Sequence, residues 1–120
     1  MVSKIKEILT PNFNDLKTYI PENISNFKFP IQLLIGPKES EGEESFEIII
    51  CSPSWLMDNI PDGGYLHGQH YLILKKYNSD VLLNCLNILF NNIEGNNWDE
   101  IALKLSHFAI WEFDNYKEHV

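Results

Sequence analysis

The chain has 120 residues, 44% of them hydrophobic and 12% aromatic, and its 17 acidic against 9 basic side chains leave a formal net charge of −8. That is enough apolar material for one sizeable core, so a single domain over residues 1–120 is expected. The charge argues against indiscriminate binding to nucleic acid or to an anionic membrane and favours a basic partner. No apolar run approaches the roughly 20 residues of a membrane span. The N-terminus also lacks an apolar stretch followed by a small-residue cleavage site, so a cytoplasmic protein is expected. Cys51 and Cys85 have no metal-ligand spacing and lie in apolar surroundings, which suits reduced thiols better than a disulfide.

Residues 1–10 place Ile5, Ile8 and Leu9 on no clean period. They read as a strand, because the breaker Thr10-Pro11-Asn12 leaves a helix too little room. Residues 11–27 are rich in Asn and Pro, with Leu16, Tyr19, Ile20 and Phe27 as scattered anchors, and read as a structured loop. Phe29, Ile31, Leu33 and Ile35 alternate with Pro30, Gln32 and Leu34 up to Gly36-Pro37, which marks a second strand. Residues 38–44 are polar and charged and read as a solvated hairpin loop between antiparallel neighbours.

The next run is the most apolar. Phe46, Ile48 and Ile50 alternate with Glu47, Ile49 and Cys51, as a central strand would. Ser52-Pro53 then offers a helix N-cap and a first helical residue, and predicts a short helical turn through Trp55 and Leu56. Residues 58–64 form a turn-rich connection ending in two glycines. Residues 70–77 read as a fourth strand, with Tyr71, Ile73 and Lys75 opposing Leu72, Leu74 and Lys76.

From residue 79 the period changes to that of a helix. Leu82, Leu86, Leu89 and Ile93 share one stripe, with Ser79 as N-cap and Gly95 as C-terminal stop. A second helix opens at Asn97, paired with Glu100 in a capping-box pattern, and buries Trp98, Ile101, Ala102 and Leu105. Residues 108–116 alternate again and read as a closing strand. The sum is an α+β fold: a mainly antiparallel sheet of about five strands, two C-terminal-half helices on one face, and a short helix after the central strand. The other face is left partly open, with Tyr71, Tyr77, Trp111 and Tyr116 as aromatic residues that could line it.

Ile35-Gly-Pro-Lys, the acidic stretch 39–46, Cys51-Ser-Pro-Ser-Trp-Leu, Trp98-Asp-Glu-Ile-Ala-Leu-Lys-Leu and Trp111-Glu-Phe-Asp-Asn-Tyr occur in one order, and together they resemble the bacterial Immunity protein 8 family. The resemblance runs from about Ile31 to Tyr116. It implies a noncatalytic cytoplasmic antidote that binds a cognate polymorphic toxin; the residue patterns themselves give no reason to expect a cofactor or a metal. The competing class is an adaptor that uses the open sheet face for a housekeeping partner.

The candidate partner-binding residues rest on side-chain chemistry. Glu39, Glu41, Glu43 and Glu44, with Glu47, crowd five carboxylates into nine residues and suit electrostatic steering of a basic toxin surface. A solvated hairpin tip explains the same crowding. Glu112, Asp114 and Tyr116 interleave charge with the aromatics Trp111 and Phe113, as interface hot spots do, although Trp111 and Phe113 also suit a core. Asp58, Asp62 and Tyr65 extend an acidic rim or form an ordinary surface loop. Cys51 with His67 or His70 lacks any oxyanion-hole or nucleophile-elbow signature, and a buried inert thiol fits it better. The four His residues show no ligand spacing on one helix face. Neither the identity of the toxin nor the oligomeric state is encoded in these patterns.

Overall fold

The computed structural model describes residues 1–11, 13 and 15–113. An antiparallel meander of β1 (Ser3–Leu9), β2 (Lys28–Pro37) and β3 (Glu44–Cys51) forms the bulk of the sheet. The β2–β3 register pairs Phe29 with Ile50, Ile31 with Ile48 and Leu33 with Phe46, so every odd residue of β2 meets an even residue of β3 on one face. All of these side chains are buried. In β1 the register shifts between Ile5 and Glu7. This bulge lets Ile5 and Ile8 both lie opposite core residues, Ile35 and Leu33, despite their odd spacing. It is the reason the first strand carries no two-residue period.

The second edge of β3 is divided between two short strands. β4 (Tyr71–Ile73) runs parallel to Ile49–Cys51, and β5 (Ile110–Trp111) runs antiparallel to Phe46 and Glu47. Both are shorter than their alternation predicts, for one reason. β3 stops at Cys51 because Ser52 caps helix α1 (Pro53–Asn59), so β4 has no partner backbone beyond residue 74, whose N–H still reaches the Cys51 carbonyl. β5 is confined to what β4 leaves, and Glu112 adds one more hydrogen bond to the Ser45 carbonyl.

Two helices cover the apolar face. α2 (Ser79–Phe90) buries Leu82, Leu86 and Phe90, and α3 (Trp98–Leu105) buries Ile101, Ala102 and Leu105. The expected caps of α2 need correction. Asn78 is the N-cap, its side chain accepting from the backbone N–H groups of Asp80 and Val81, and Ser79 is the first helical residue. The helix also ends before Ile93: Asn91 is extended and Asn92 takes a left-handed φ of 60°, which terminates the helix as a glycine often does. Ile93 then pairs with β1, accepting from the Ser3 N–H, while the Ser3 hydroxyl donates to the Phe90 carbonyl and accepts from the Ile93 N–H. α3 starts at Asn97 as expected, with the Asn97 side chain accepting from the Glu100 N–H.

The loop before β2 seals the end of the core with stacked Phe13 and Tyr19, edge-on to Phe29, and with Tyr19 and Phe27 edge-on to Tyr77. Leu16 and Phe27 are buried there, but Ile20 is exposed and anchors nothing. Two aromatics assigned to the open face are core residues instead. Tyr77 is buried and donates from its hydroxyl to the Leu16 carbonyl, and Trp111 is buried in a stack on Phe46. Tyr116 lies outside the described residues.

Candidate functional site

At one end of the sheet the β2–β3 connection forms an acidic tip. Gly36 permits it: a Cβ at that position would sit 2.0 Å from the Gly42 carbonyl oxygen, and Gly42 itself takes a φ of +102°. Two glycines therefore let the strands close tightly around residues 38–43. Glu39, Glu41 and Glu43 are exposed on this tip, and Lys6 donates to the Ser40 carbonyl from the side. Glu44 is different. It is half-buried and accepts from the Trp98 indole N–H, tying the root of the hairpin to α3. Glu112 joins the same end, because its Oε1 accepts from the Ser45 N–H at 2.8 Å.

Asp58 lies beyond the opposite end of β3, where Asn26 donates to its carboxylate at 2.8 Å. Across the eight residues of β3 that separation is at least roughly 23 Å. Asp62 and Tyr65 are exposed on the connection between α1 and β4. The structure thus gathers Glu39, Glu41, Glu43, Glu44 and Glu112 at one pole and leaves Asp58 at the other. Asp114 lies, with Tyr116, outside the described residues.

The sheet face turned away from α2 and α3 carries a second group of side chains, ordered by the strand register. Its middle row runs Leu9, Gln32, Glu47, Ile110, with Glu47 on the central strand. The row toward α1 holds Pro30, Ile49 and Tyr71, and the row toward the hairpin holds Glu7, Leu34, Ser45 and Glu112. Leu34, Ile49, Tyr71 and Ile110 are only half-buried, and Ile73 at the corner is half exposed. Glu47 is half-buried among them and has no hydrogen-bond or ion-pair partner among the described residues. At the α1 end this face is closed by Lys28, whose ammonium lies 5.4 Å over the Trp55 ring. In the sequence Glu47 counts only toward the acidic cluster and is not singled out as a contact residue, although it is the single carboxylate in the alternation of residues 46–51 and its parity already places it opposite the core.

No nucleophile is built into the strand end. Cys51 is fully buried, and burial pushes its thiol above the ordinary range, an effect the nearby Lys28 only partly offsets. His70 donates through Nε2 to the Ser106 carbonyl, and His67 is exposed on the loop. An open depression of about 820 Å³ borders residues 19–28, but of titratable side chains it gathers only Tyr19, Glu22 and Lys28. Among the described residues no group of three or more His, Cys, Asp and Glu could hold a metal ion. Among them, too, no helix is long and apolar enough to cross a membrane.

Fold and surface together define a small α+β protein with α2 and α3 on one sheet face, the other face open, and an acidic pole beside it. The model of the family Immunity protein 8 matches residues 3–116, and the chain belongs to that family. No curated relative and no solved structure is similar enough to be matched.

Proposed function

We propose that this chain is a noncatalytic, single-domain antidote that neutralises a cognate polymorphic toxin by stoichiometric binding in the cytoplasm of the cell that makes it. Family membership supports an immunity role and favours a toxin over a housekeeping partner. The observation that carries the mechanism is the acidic pole: Glu39, Glu41 and Glu43 stand exposed on one tight hairpin, with Glu112 beside its root, on a chain of net charge −8. Carboxylates fixed on one tip attract a basic surface over about a Debye length, ~8–10 Å at physiological salt, and so raise the association rate. The complementary toxin surface is basic, and a nuclease cleft that binds phosphates has that character. Inserted there, the hairpin occupies the space of the phosphates and blocks the groove. Asp62, Tyr65, Asp114 and Tyr116 belong to the reading as further contacts; Asp58 belongs to it only if the toxin spans the length of β3.

The test is coexpression with the protein encoded by the gene immediately upstream. Growth arrest by that protein alone, relief by this chain, and a one-to-one complex on copurification are the expected results. A harmless neighbour, or arrest without relief, removes the antidote reading.

A further inference from the structure

We infer that the open sheet face is the anchoring surface for the toxin, and that Glu47 at its centre receives an arginine presented among apolar side chains of the partner. The inference rests on the antidote reading and assigns to it a second surface, distinct from the hairpin tip.

Three observations converge on this occupant. First, Glu47 is the central carboxylate of the face: strands about 4.8 Å apart put Gln32 and Ile110 on either side of it, Ser45 and Ile49 are its neighbours along β3, and Leu34 and Tyr71 lie in the surrounding positions. Second, it has no partner among the described residues. A half-buried carboxylate without a cation is costlier in a strand than a β-branched residue at the same position, so the fold alone does not account for it. Third, Glu47 at the centre of the face stands with Glu7 and Glu112, while the cations nearby are marginal or already engaged: Lys4 at the hairpin end of β1, Lys6 at the bulge donating to the Ser40 carbonyl, and Lys28 over Trp55. A half-buried carboxylate beside the half-buried apolar groups Leu34, Ile49, Tyr71 and Ile110 offers a partner both charge and contact area, and a guanidinium meets a carboxylate with two parallel hydrogen bonds where an ammonium makes a point contact.

The sheet edges point the same way. The first half of β1 is closed on its outer side by residues 91–95, through hydrogen bonds between Ser3 and residues 92 and 93, from the Ile5 N–H to the Asn91 side chain, and from the Gly95 N–H to the Met1 carbonyl. The opposite edge is two strands of three and two residues. Only short lengths of backbone are left for a partner strand, which favours side-chain recognition on the face.

The experiment uses the full chain and the upstream-encoded toxin. Kd and dissociation rate are measured for the parent, Glu47→Gln and Glu47→Val, with thermal melts of each. In parallel, carbodiimide labelling of carboxylates is read by mass spectrometry in the free chain and in the complex. The expected outcome is about a tenfold or greater loss of affinity in both variants, carried by faster dissociation. Melting temperatures should be no lower than the parent's, and Glu47 should be labelled when free and protected in the complex. Parent-like affinity in both variants, with Glu47 still labelled in the complex, overturns the inference and leaves the antidote reading standing. A parent chain that neither binds nor neutralises the toxin overturns both. Protection of Glu47 in the free chain through self-association, seen by sedimentation, assigns the face to a second copy and also overturns the inference.

Discussion

Ser52 carries more of the architecture than its size suggests. Its hydroxyl accepts from the Trp55 N–H as the cap of α1 and from the Phe27 N–H at the start of β2, while its own N–H donates to the Phe27 carbonyl. The residue is fully buried, so Ser52→Ala leaves two backbone donors without their acceptor. A loss of about 1–3 kcal/mol is expected, read from urea denaturation midpoints at unchanged slope. Beside it, Cys51 adds a pH dependence of definite sign. Its folded pKa is raised by burial, so the folded state holds the proton longer than the unfolded chain. Stability is complete below the unfolded thiol's pKa and falls as pH rises from about 8.5. Cys51→Ala should flatten that fall between about pH 8.5 and 10, above which Tyr77, also raised by burial, extends it. Equal slopes for parent and variant would assign the alkaline loss elsewhere.

At the scale of elements, the hairpin is the most constrained turn in the chain. Gly36→Ala drives a methyl group into the Gly42 backbone, and the opposing atom is a carbonyl oxygen that cannot rotate away. The expected cost is about 2–3 kcal/mol, with the β2–β3 root loosened; a stability within 0.5 kcal/mol of the parent would show that the turn adapts. The long elements were legible because their patterns are redundant. The alternations of residues 29–35 and 46–51, the leucine stripe of α2 and the cap at Asn97 each appear in the structure. The short ones were misjudged where another element decides their length. Residues 70–77 alternate well beyond Ile73, but β3 has no backbone left to pair with them. Ile93 continues the stripe of Leu82, Leu86 and Leu89, yet the Asn91-Asn92 pair ends the helix first and delivers Ile93 to β1.

For the whole molecule, charge and apolarity are sorted to different places. The core lies between the sheet and α2 and α3, and the exposed carboxylates of the hairpin project from one end. The five clustered carboxylates were legible in sequence, but their division was not: three remain free on the tip, Glu44 is held by Trp98, and Glu47 faces the open sheet. Only the register and a contact across 54 residues separate them. In the proposed encounter, steering therefore falls to Glu39, Glu41 and Glu43. Reversing these three to Lys should slow toxin association at low salt by about tenfold or more and flatten its dependence on ionic strength, with the melting temperature nearly unchanged. An unaltered association rate in stopped flow would remove the tip from the encounter.

The closure of β1 by the segment after α2 also sets a timetable. Ser3 finds its partners in residues 90–93, and Ser45 finds Glu112, so both outer margins of the sheet wait for chain made much later. At roughly 5–20 residues per second, about 5–18 s pass between synthesis of Ser3 and of Ile93. During that interval the meander β1–β2–β3 exists without α3 or β5, and its seven core strand residues from Phe29 to Ile50 lack their final cover. Until α2 and α3 arrive, that row of side chains is the stickiest surface of the growing chain, and the order of synthesis makes the meander, not the helices, the part that must avoid other chains.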